Sequence, residues 1–406
     1  MMRRVLLFLL GASAIVAEAQ AQGLDFKFYG RVRADLFYNS RANEETVDGL
    51  FYMYPKDHNY DADGEDLNAT AQGSFYSLYT RLGVDIKGVN IGKAAATAKI
   101  EADFRGSGST FGVVRLRQAY VQLDWGRSAV LIGQTWHPLT GDIMPSVLNL
   151  STGAPFQPFN RSPLIRYRYK TGRGLMLTAA AIWQSQYNSV GPDGKSSNYL
   201  KNGNIPEIYA GIDYTYRGWT VGGGVDVLSL RPRKQSTVEG LVYKVDERVT
   251  SVSAEVHARY KTPLWQVSAK TALADNLTHC SMLGGFAVTD IDPRTGEQKY
   301  TPFRHSASWL NFTYGKKWQP GLYVGYLKNL GTGKAIAGAT YGTGVNVDQV
   351  LNVSAQLTYN LPHWRIGIEA TPCWAWYGML NKSNGRVEDT HSVANYRILG
   401  VMMFTF

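Results

Sequence analysis

The chain has 406 residues, of which 42 are glycine and 50 are aromatic, only 18% are charged, and the formal net charge is +10. Glycine is therefore about a tenth of the chain, against a usual ~7%, and charged residues fall below the usual ~25%. An apolar fraction of 44% excludes a disordered chain, and the lack of repeated runs of about 20 apolar residues excludes a polytopic helical membrane protein, which leaves a large all-β protein.

The N-terminus has the features of a secretory signal peptide. Two arginines precede an apolar stretch at 5–17, and two A-x-A cleavage sites follow it. Such a segment is too short to span a membrane and is removed on export. We therefore expect a signal peptide over residues 1–21 and a single domain over residues 22–406.

The rest of the chain alternates between apolar and polar residues down to its last residue. In the first segment Phe28 and Val32 alternate with Arg31 and Arg33. Alternation with period two predicts a strand with one apolar face, and its length exceeds the ~5–6 residues of a soluble strand and suits a tilted membrane strand. Sixteen strands are predicted, near 24–40, 74–87, 94–106, 112–125, 129–137, 163–171, 174–187, 205–217, 218–230, 247–261, 264–276, 305–315, 319–330, 345–360, 363–377 and 393–406.

The predicted connections alternate between short turns and long polar loops. This pattern is typical of an outer-membrane barrel, and a sheet in lipid must close on itself because every backbone polar group has to be paired. The sequence therefore predicts a transmembrane antiparallel β-barrel of about sixteen strands in the outer membrane. The long loops are expected at 41–73, 138–162, 187–205, 230–247, 276–304, 330–344 and 377–392. Five tryptophans fall at short turns, as expected for an interfacial aromatic girdle: Trp125, Trp219, Trp265, Trp318 and Trp364.

The end of the chain bears on the alternative of a soluble β-sandwich or propeller. The last segment alternates Tyr396, Ile398, Met402 and Phe404 with polar positions and ends at Phe406, which a soluble fold does not require. A terminal phenylalanine after such a strand resembles the signal that bacterial barrels present to the outer-membrane assembly machinery. Membrane lipid and that machinery are therefore the expected partners.

A more specific resemblance lies at 114–169. This stretch contains R-L-R-Q-A-Y at 115–120, G-Q-T-W at 133–136 and R-S-P-L-I-R-Y at 161–167. It resembles the trimeric DcaP-like porins of Gram-negative bacteria. The resemblance implies a homotrimeric diffusion channel for small anionic solutes, with dicarboxylates as a substrate class. The type members carry an N-terminal coiled coil before the barrel, whereas the first predicted strand here begins within a few residues of the expected cleavage site, so we expect trimer contacts to rest on the barrel walls and loops.

The loop at 138–162 follows the fifth strand and is rich in proline and glycine. Porins fold a loop inward at this place, so we expect it to narrow the channel. Asp142 is its only acidic residue and is the candidate for the loop side of a constriction. The alternative is that Asp142 lies at a solvent-exposed loop tip.

A basic wall is expected to face this loop. Arg166, Arg168 and Lys170 alternate with apolar residues and share one face, which cannot be the lipid face because a cation at the bilayer midplane costs ~2–4 kcal/mol there. Rings of basic residues favour anions. The alternation changes phase after Arg117, which suggests a bulge. Other candidates for the wall are Arg31, Arg33, Arg115 and Arg117. The alternative is that these charges pair with lumenal carboxylates, leaving only a net surplus.

The first outer loop is acidic. Asp61, Asp63 and Glu65 have a spacing that could bind Ca²⁺ through oxygen ligands. The complete twelve-residue pattern is missing, so a solvated acidic loop is the alternative.

Other functions have less support. A barrel hydrolase needs a serine activated by histidine, and the one close pair, His279 and Ser281, falls in a long loop.

A closed barrel that serves as a receptor or adhesin would leave the basic wall without a role. Basic residues spread over strands do not indicate nucleic-acid binding, no cofactor is expected, and the sequence does not show whether Cys280 and Cys373 pair. We therefore expect a porin that is not an enzyme.

Overall fold

The structure, a computed structural model, describes residues 23–46, 49–105 and 112–406. The predicted signal peptide lies outside the described residues. Across the described ranges, sixteen strands pair antiparallel in a closed ring, and the ring closes where the first strand pairs with the last. Val32 lies opposite Phe404 at this seam. None of the described helices is long and apolar enough to cross a membrane.

The strands of the barrel are numbered in chain order. Their bounds are β1 Asp25–Asn39, β2 Gln72–Tyr76 continued by Arg81–Ile91, β3 Ala94–Asp103, β4 Arg115–Asp124, β5 Ser128–Trp136, β6 Arg161–Lys170, β7 Leu175–Ile182, β8 Glu207–Tyr216, β9 Trp219–Leu230, β10 Val249–Lys261, β11 Trp265–Asp275, β12 Gln298–Tyr314, β13 Trp318–Thr332, β14 Val347–Leu361, β15 Trp364–Leu380 and β16 Val387–Thr405.

The side chains sort onto two faces as the alternation predicts. In β1 Phe28 and Val32 are exposed on the outside, whereas Arg33 and Asp35 are buried in the interior. The girdle tryptophans lie at the short turns. Trp219, Trp265, Trp318 and Trp364 pack on aromatic neighbours; Trp219 and Tyr260, for example, have ring centroids 4.7 Å apart. The predicted barrel is confirmed, and the sandwich and propeller alternatives are wrong.

Several strand bounds differ from the predicted ones, and β7, for example, ends at Ile182 rather than near 187. β2 is interrupted at 77–80, β12 begins at Gln298 rather than near 305, and β16 begins at Val387 rather than near 393. The predicted long loop at 377–392 is therefore mostly strand and closes through a turn at 381–386. These extensions carry polar residues on both faces, because they pair with each other or with outer-loop strands instead of contacting lipid. The alternation of apolar and polar residues, which reflects contact with lipid, therefore does not predict these extensions.

The outer loops carry short elements of their own. Phe51–Pro55 pairs with Asn43–Thr46, and all five of its residues are buried. The helix α1 spans Asn198–Gly203 and a 3₁₀ turn spans Thr278–Cys280. The remaining short strands are Val190–Gly191, Gly194–Lys195, Gln235–Val238, Leu241–Lys244, Gly284–Ile291 and Thr340–Thr343.

Candidate functional site

The loop at 137–160, called the infolded loop below, follows β5 and lies inside the barrel. The backbone N–H of Ser146 donates to Asn311 Oδ1 at 2.9 Å. Gln356 Nε2 donates to the Ser146 carbonyl at 2.8 Å, and the N–H of Leu148 donates to Glu369 Oε2 at 2.6 Å. The loop has no strand partner, so its buried backbone groups need side-chain partners. Polar residues on the inner face of β12–β15 provide them.

A cluster of arginines surrounds one tyrosine on another part of the inner wall. Tyr79 lies in the interruption of β2, and five guanidinium carbons approach its ring centroid. The distances are 4.5 Å for Arg31, 5.1 Å for Arg33, 5.0 Å for Arg81, 5.3 Å for Arg105 and 5.7 Å for Arg117. The sequence predicts Arg31, Arg33 and Arg117 for the basic wall but does not point to Tyr79, Arg81 or Arg105. The signal it lacked was the break in β2 at 77–80, which aims the Tyr79 ring at the arginines.

Buried carboxylates neutralise part of this cluster. Asp103 pairs with Arg115 at 2.8 Å and with Arg117 at 3.0 Å. Glu101 pairs with Arg117 at 2.8 Å and with Arg81 at 3.3 Å. Arg117 is consequently only 2% exposed, so it holds the wall together and offers little surface to a solute.

The arginine cluster retains a positive surplus. Arg33 pairs with Asp35 at 2.6 Å, whereas Arg31 takes part in no salt bridge among the described residues and lies against Met403 and Tyr79. Six arginines (31, 33, 81, 105, 115 and 117) stand against three carboxylates (35, 101 and 103), a formal excess of three positive charges. Pairing therefore accounts for part of the predicted wall and leaves a net surplus.

The bulge suggested by the sequence is present in β4. Ala102 lies opposite Leu116 and Glu101 lies opposite Gln118, so Arg117 is the extra residue. The bulge keeps Arg115 and Arg117 on the inner side while Ala119, Val121 and Leu123 turn outward. This explains why the alternation changes phase after Arg117.

A cleft lies between the arginine cluster and the infolded loop. It has a volume of about 120 Å³ and is lined by Arg31, Arg33, Tyr79, Arg365 and the loop segment 147–150, among others. Arg365 donates to Asn360 Oδ1 at 2.9 Å and forms no salt bridge within the described ranges. Two cations that form no salt bridge with any described carboxylate, Arg31 and Arg365, therefore line one cleft.

Asp142 forms a salt bridge with the basic wall. Its Oδ2 lies 3.1 Å from Arg168 Nη2. Desolvation raises the pKa of Asp142, but the neighbouring Arg168 and Arg166 lower it more, so the net pKa lies below the usual value. Arg166 shares this inner face and has no salt-bridge partner in the part of the chain that the structure describes. Lys170 is exposed at the end of β6, next to the short turn.

The acidic segment of the first outer loop forms a tight turn. Asp61 Oδ1 accepts the backbone N–H groups of Asp63 and Glu65, both at 2.9 Å. That oxygen caps the turn, and the calcium site remains a prediction.

The same outer loop also contains Leu50–Pro55, which is buried and packs onto the infolded loop, with the Phe51 and Phe159 ring centroids 5.0 Å apart. The polar composition of the loop as a whole does not predict this contact.

The residues considered for catalysis and disulfide pairing have other contacts. The ring of His279 lies 2.9 Å from Glu207, and Ser281 Oγ donates to the Phe159 carbonyl. These two residues therefore do not form a hydrogen-bonded base and nucleophile. Cys280 and Cys373 are both buried and are not joined by a disulfide.

Known outer-membrane proteins resemble this chain in sequence and fold. The family model described as DcaP outer membrane protein matches residues 12–180, the part that carries the arginine cluster and the infolded loop. The outer membrane channel DcaP of Acinetobacter baumannii superposes with a TM-score of 0.67 at 19% identity, covering 95% of this chain and 98% of that one. The predicted resemblance is thereby confirmed, as is the location in the outer membrane. No curated protein matches the chain.

Other outer-membrane proteins share the fold more distantly. The trimer form of OmpT of Vibrio cholerae has a TM-score of 0.55 at 14% identity and covers 95% of this chain and 100% of that one. OmpF of Salmonella typhi, solved in complex with daunomycin, has a TM-score of 0.55 at 13% identity, with 95% and 98% covered. At these identities the likeness shows the fold alone.

Proposed function

We propose that this outer-membrane channel protein lets small hydrophilic solutes diffuse passively and prefers anions. The observation that carries the proposal is the surplus of three positive charges in the arginine cluster, beside the infolded loop. Fixed charge of one sign in a channel with low-dielectric walls raises the local concentration of counter-ions. The unpaired Arg166 adds to the surplus on β6.

Small dicarboxylates are the proposed solute class. The cleft between the arginine cluster and the infolded loop presents Arg31 and Arg365 together, and a guanidinium binds a carboxylate through paired N–H donors. Two unneutralised guanidinium groups in one cleft match a solute with two carboxylates. The resemblance to the DcaP-like porins supports the same class.

The proposed assembly is a homotrimer in outer-membrane lipid. OmpT, one of the proteins that share the fold, has a trimer form. Phe406 exchanges two backbone hydrogen bonds with Gly30, at 3.0 and 3.1 Å, and so closes the barrel seam. We propose that the assembly machinery recognises this residue before the seam forms.

Reversal potentials in planar bilayers test the anion preference. The double variant R31Q/R365Q should shift the reversal potential toward cation selectivity and weaken block by succinate. Its matched control is R173Q, which removes a positive charge from an exposed short turn and should change neither quantity. Equal selectivity in R31Q/R365Q and wild type would overturn the proposed role of the cleft, and purified protein without stepwise conductance would reject the channel and favour a receptor.

A further inference from the structure

A second polar cluster lies inside the wall, away from the arginines. It joins His137 at the start of the infolded loop, Glu207 at the start of β8, Asp226 on β9, and the neighbours His279 and Cys280 in the turn after β11. Each of these five residues is at most 1% exposed. The proposed diffusion path does not use them.

The donor atoms of this cluster are close together. His137 Nε2 lies 3.2 Å from Glu207 Oε1, and His279 Nε2 lies 2.9 Å from the same oxygen. The donor atoms of His137, Glu207 and Asp226 all lie within 4.8 Å of one another. A tetrahedral Zn²⁺ ion with bonds of about 2.0–2.1 Å would hold its ligands roughly 3.3 Å apart. Small side-chain movements would therefore bring these donors to ligand distance.

Three carboxylate oxygens in the cluster accept no hydrogen bond from an N–H or hydroxyl donor in the part of the chain that the structure describes. They are Glu207 Oε2 and both oxygens of Asp226, although each is shielded from solvent. Buried polar atoms are nearly always paired, and a buried carboxylate without a counter-charge is costly. Among the described residues, Glu207 forms salt bridges only with the imidazoles of His137 and His279, and Asp226 forms none. Asp226 thus lacks the counter-charge that its burial requires.

We propose that His137, Glu207 and Asp226 form a binding site for a divalent transition-metal ion of the Zn²⁺ class. A divalent cation would balance the two carboxylates, and an imidazole with two carboxylates is a donor set suited to such ions. His279 would act from outside the ligand set by donating its Nε2–H to Glu207 Oε1, which orients a ligating carboxylate. To ligate through Nε2, His137 must carry its proton on Nδ1 and release the Leu139 N–H that now donates there at 3.2 Å.

The position of the site suggests what the ion does. The N–H of His137 donates to the Asn160 carbonyl at 3.1 Å, so the two ends of the infolded loop meet there. The Phe159 N–H donates to the Cys280 carbonyl at 2.7 Å. An ion held by the wall and by His137 would therefore fix the base of the infolded loop to β8 and β9.

Equilibrium dialysis of the folded, detergent-solubilised chain against Zn²⁺ tests the site, with bound metal measured by mass spectrometry. Wild type should bind one ion per chain, and D226N and E207Q should each weaken binding at least about tenfold. The matched control is H391Q, because His391 also contacts an aspartate, at 2.6 Å, but lies exposed on the outer surface. H391Q should bind like wild type.

Two further measurements guard against variants that fail to fold. Anomalous scattering at the zinc edge from wild-type crystals should give a peak between His137 and Asp226, and Zn²⁺ should raise the melting temperature of wild type but not of folded D226N. The proposal is overturned if wild type binds no ion, if D226N binds as tightly as wild type, or if the peak lies elsewhere. None of these results depends on ion selectivity, so they test the site independently of the proposed function.

Discussion

The carboxylate of Glu369 accepts the backbone N–H of Leu148 at 2.6 Å, deep inside the barrel. On the other side of the same residue, Arg33 Nη2 donates to the Leu148 carbonyl, also at 2.6 Å. Glu369 lies on β15 and Arg33 on β1, and both are buried. One residue of the infolded loop is thus bound by an acid and a base from different strands, so these two side chains set the position of the loop.

Removal of the acid should loosen the infolded loop. In E369A the N–H groups of Leu148 and Asn149 lose their shared acceptor, and a buried donor left unpaired costs about 1–3 kcal/mol. We expect single-channel currents with greater open-state noise and a larger mean conductance. The control D290A removes an exposed carboxylate from an outer-loop strand and should give currents like wild type. Quiet currents of normal size in E369A would contradict this role.

Breaking the buried charge network should destabilise the barrel. Asp103 is 1% exposed and pairs with Arg115 and Arg117. In D103N Arg115 loses its carboxylate partner and Arg117 retains only Glu101, and removal of one partner from a buried pair costs about 3–5 kcal/mol. Denaturant unfolding followed by tryptophan fluorescence should show this loss.

The control for this loss is D85N. Asp85 pairs with Lys99 at 2.7 Å, but both side chains retain more solvent contact than Asp103. Pairs that solvent reaches contribute about 1 kcal/mol or less. Equal losses in D103N and D85N would show that burial of the network does not govern its contribution.

The effect of each β6 arginine on ion selectivity should depend on whether that arginine is paired with a carboxylate. R166Q removes an unpaired cation and should shift selectivity toward cations. R168Q leaves Asp142 without its paired cation and should also shift selectivity toward cations. D142N leaves Arg168 without its paired carboxylate and should shift selectivity toward anions. One unit charge at close range in water contributes about 1 kcal/mol, roughly a fivefold change in permeability ratio. The double variant R168Q/D142N should restore the wild-type reversal potential, and a failure of the two changes to cancel would refute the pairing.

The same pair predicts a dependence on pH. Arg168 and Arg166 hold the pKa of Asp142 below its ordinary value, so the carboxylate keeps its charge at neutral pH and its pairing is lost only as pH falls through that lowered pKa. From about pH 8 to about pH 5 the Asp142 charge should not change. Below that range Arg168 loses its counter-charge and anion selectivity should rise. Reversal potentials of wild type and D142N should therefore converge in acid, and a difference that already disappears between about pH 8 and 5 would contradict the lowered pKa.

The strands could be predicted because lipid imposes a strict alternation on them, as the faces of β1 show. Features held by contacts between distant residues could not. The extra length of β16 follows from pairing with β15 outside the lipid. The buried Phe51 and the capture of Leu148 by Glu369 depend on which strands become neighbours when the barrel closes. The role of Asp142 in a constriction stays a prediction, and its bond to Arg168 depends on the path of the infolded loop, which local sequence does not encode.

The bulge in β4 allows this strand to lose one residue without a change of faces. In a regular barrel strand the loss of one residue turns every later side chain to the opposite face. Polar side chains would then face lipid, and apolar side chains would face the channel. Arg117 is the extra residue of the bulge, between Leu116, opposite Ala102, and Gln118, opposite Glu101. Its deletion would leave both pairings in place and keep Val121 on the lipid side. At this position the loss of one residue removes a positive charge from the channel without altering the topology of the sheet.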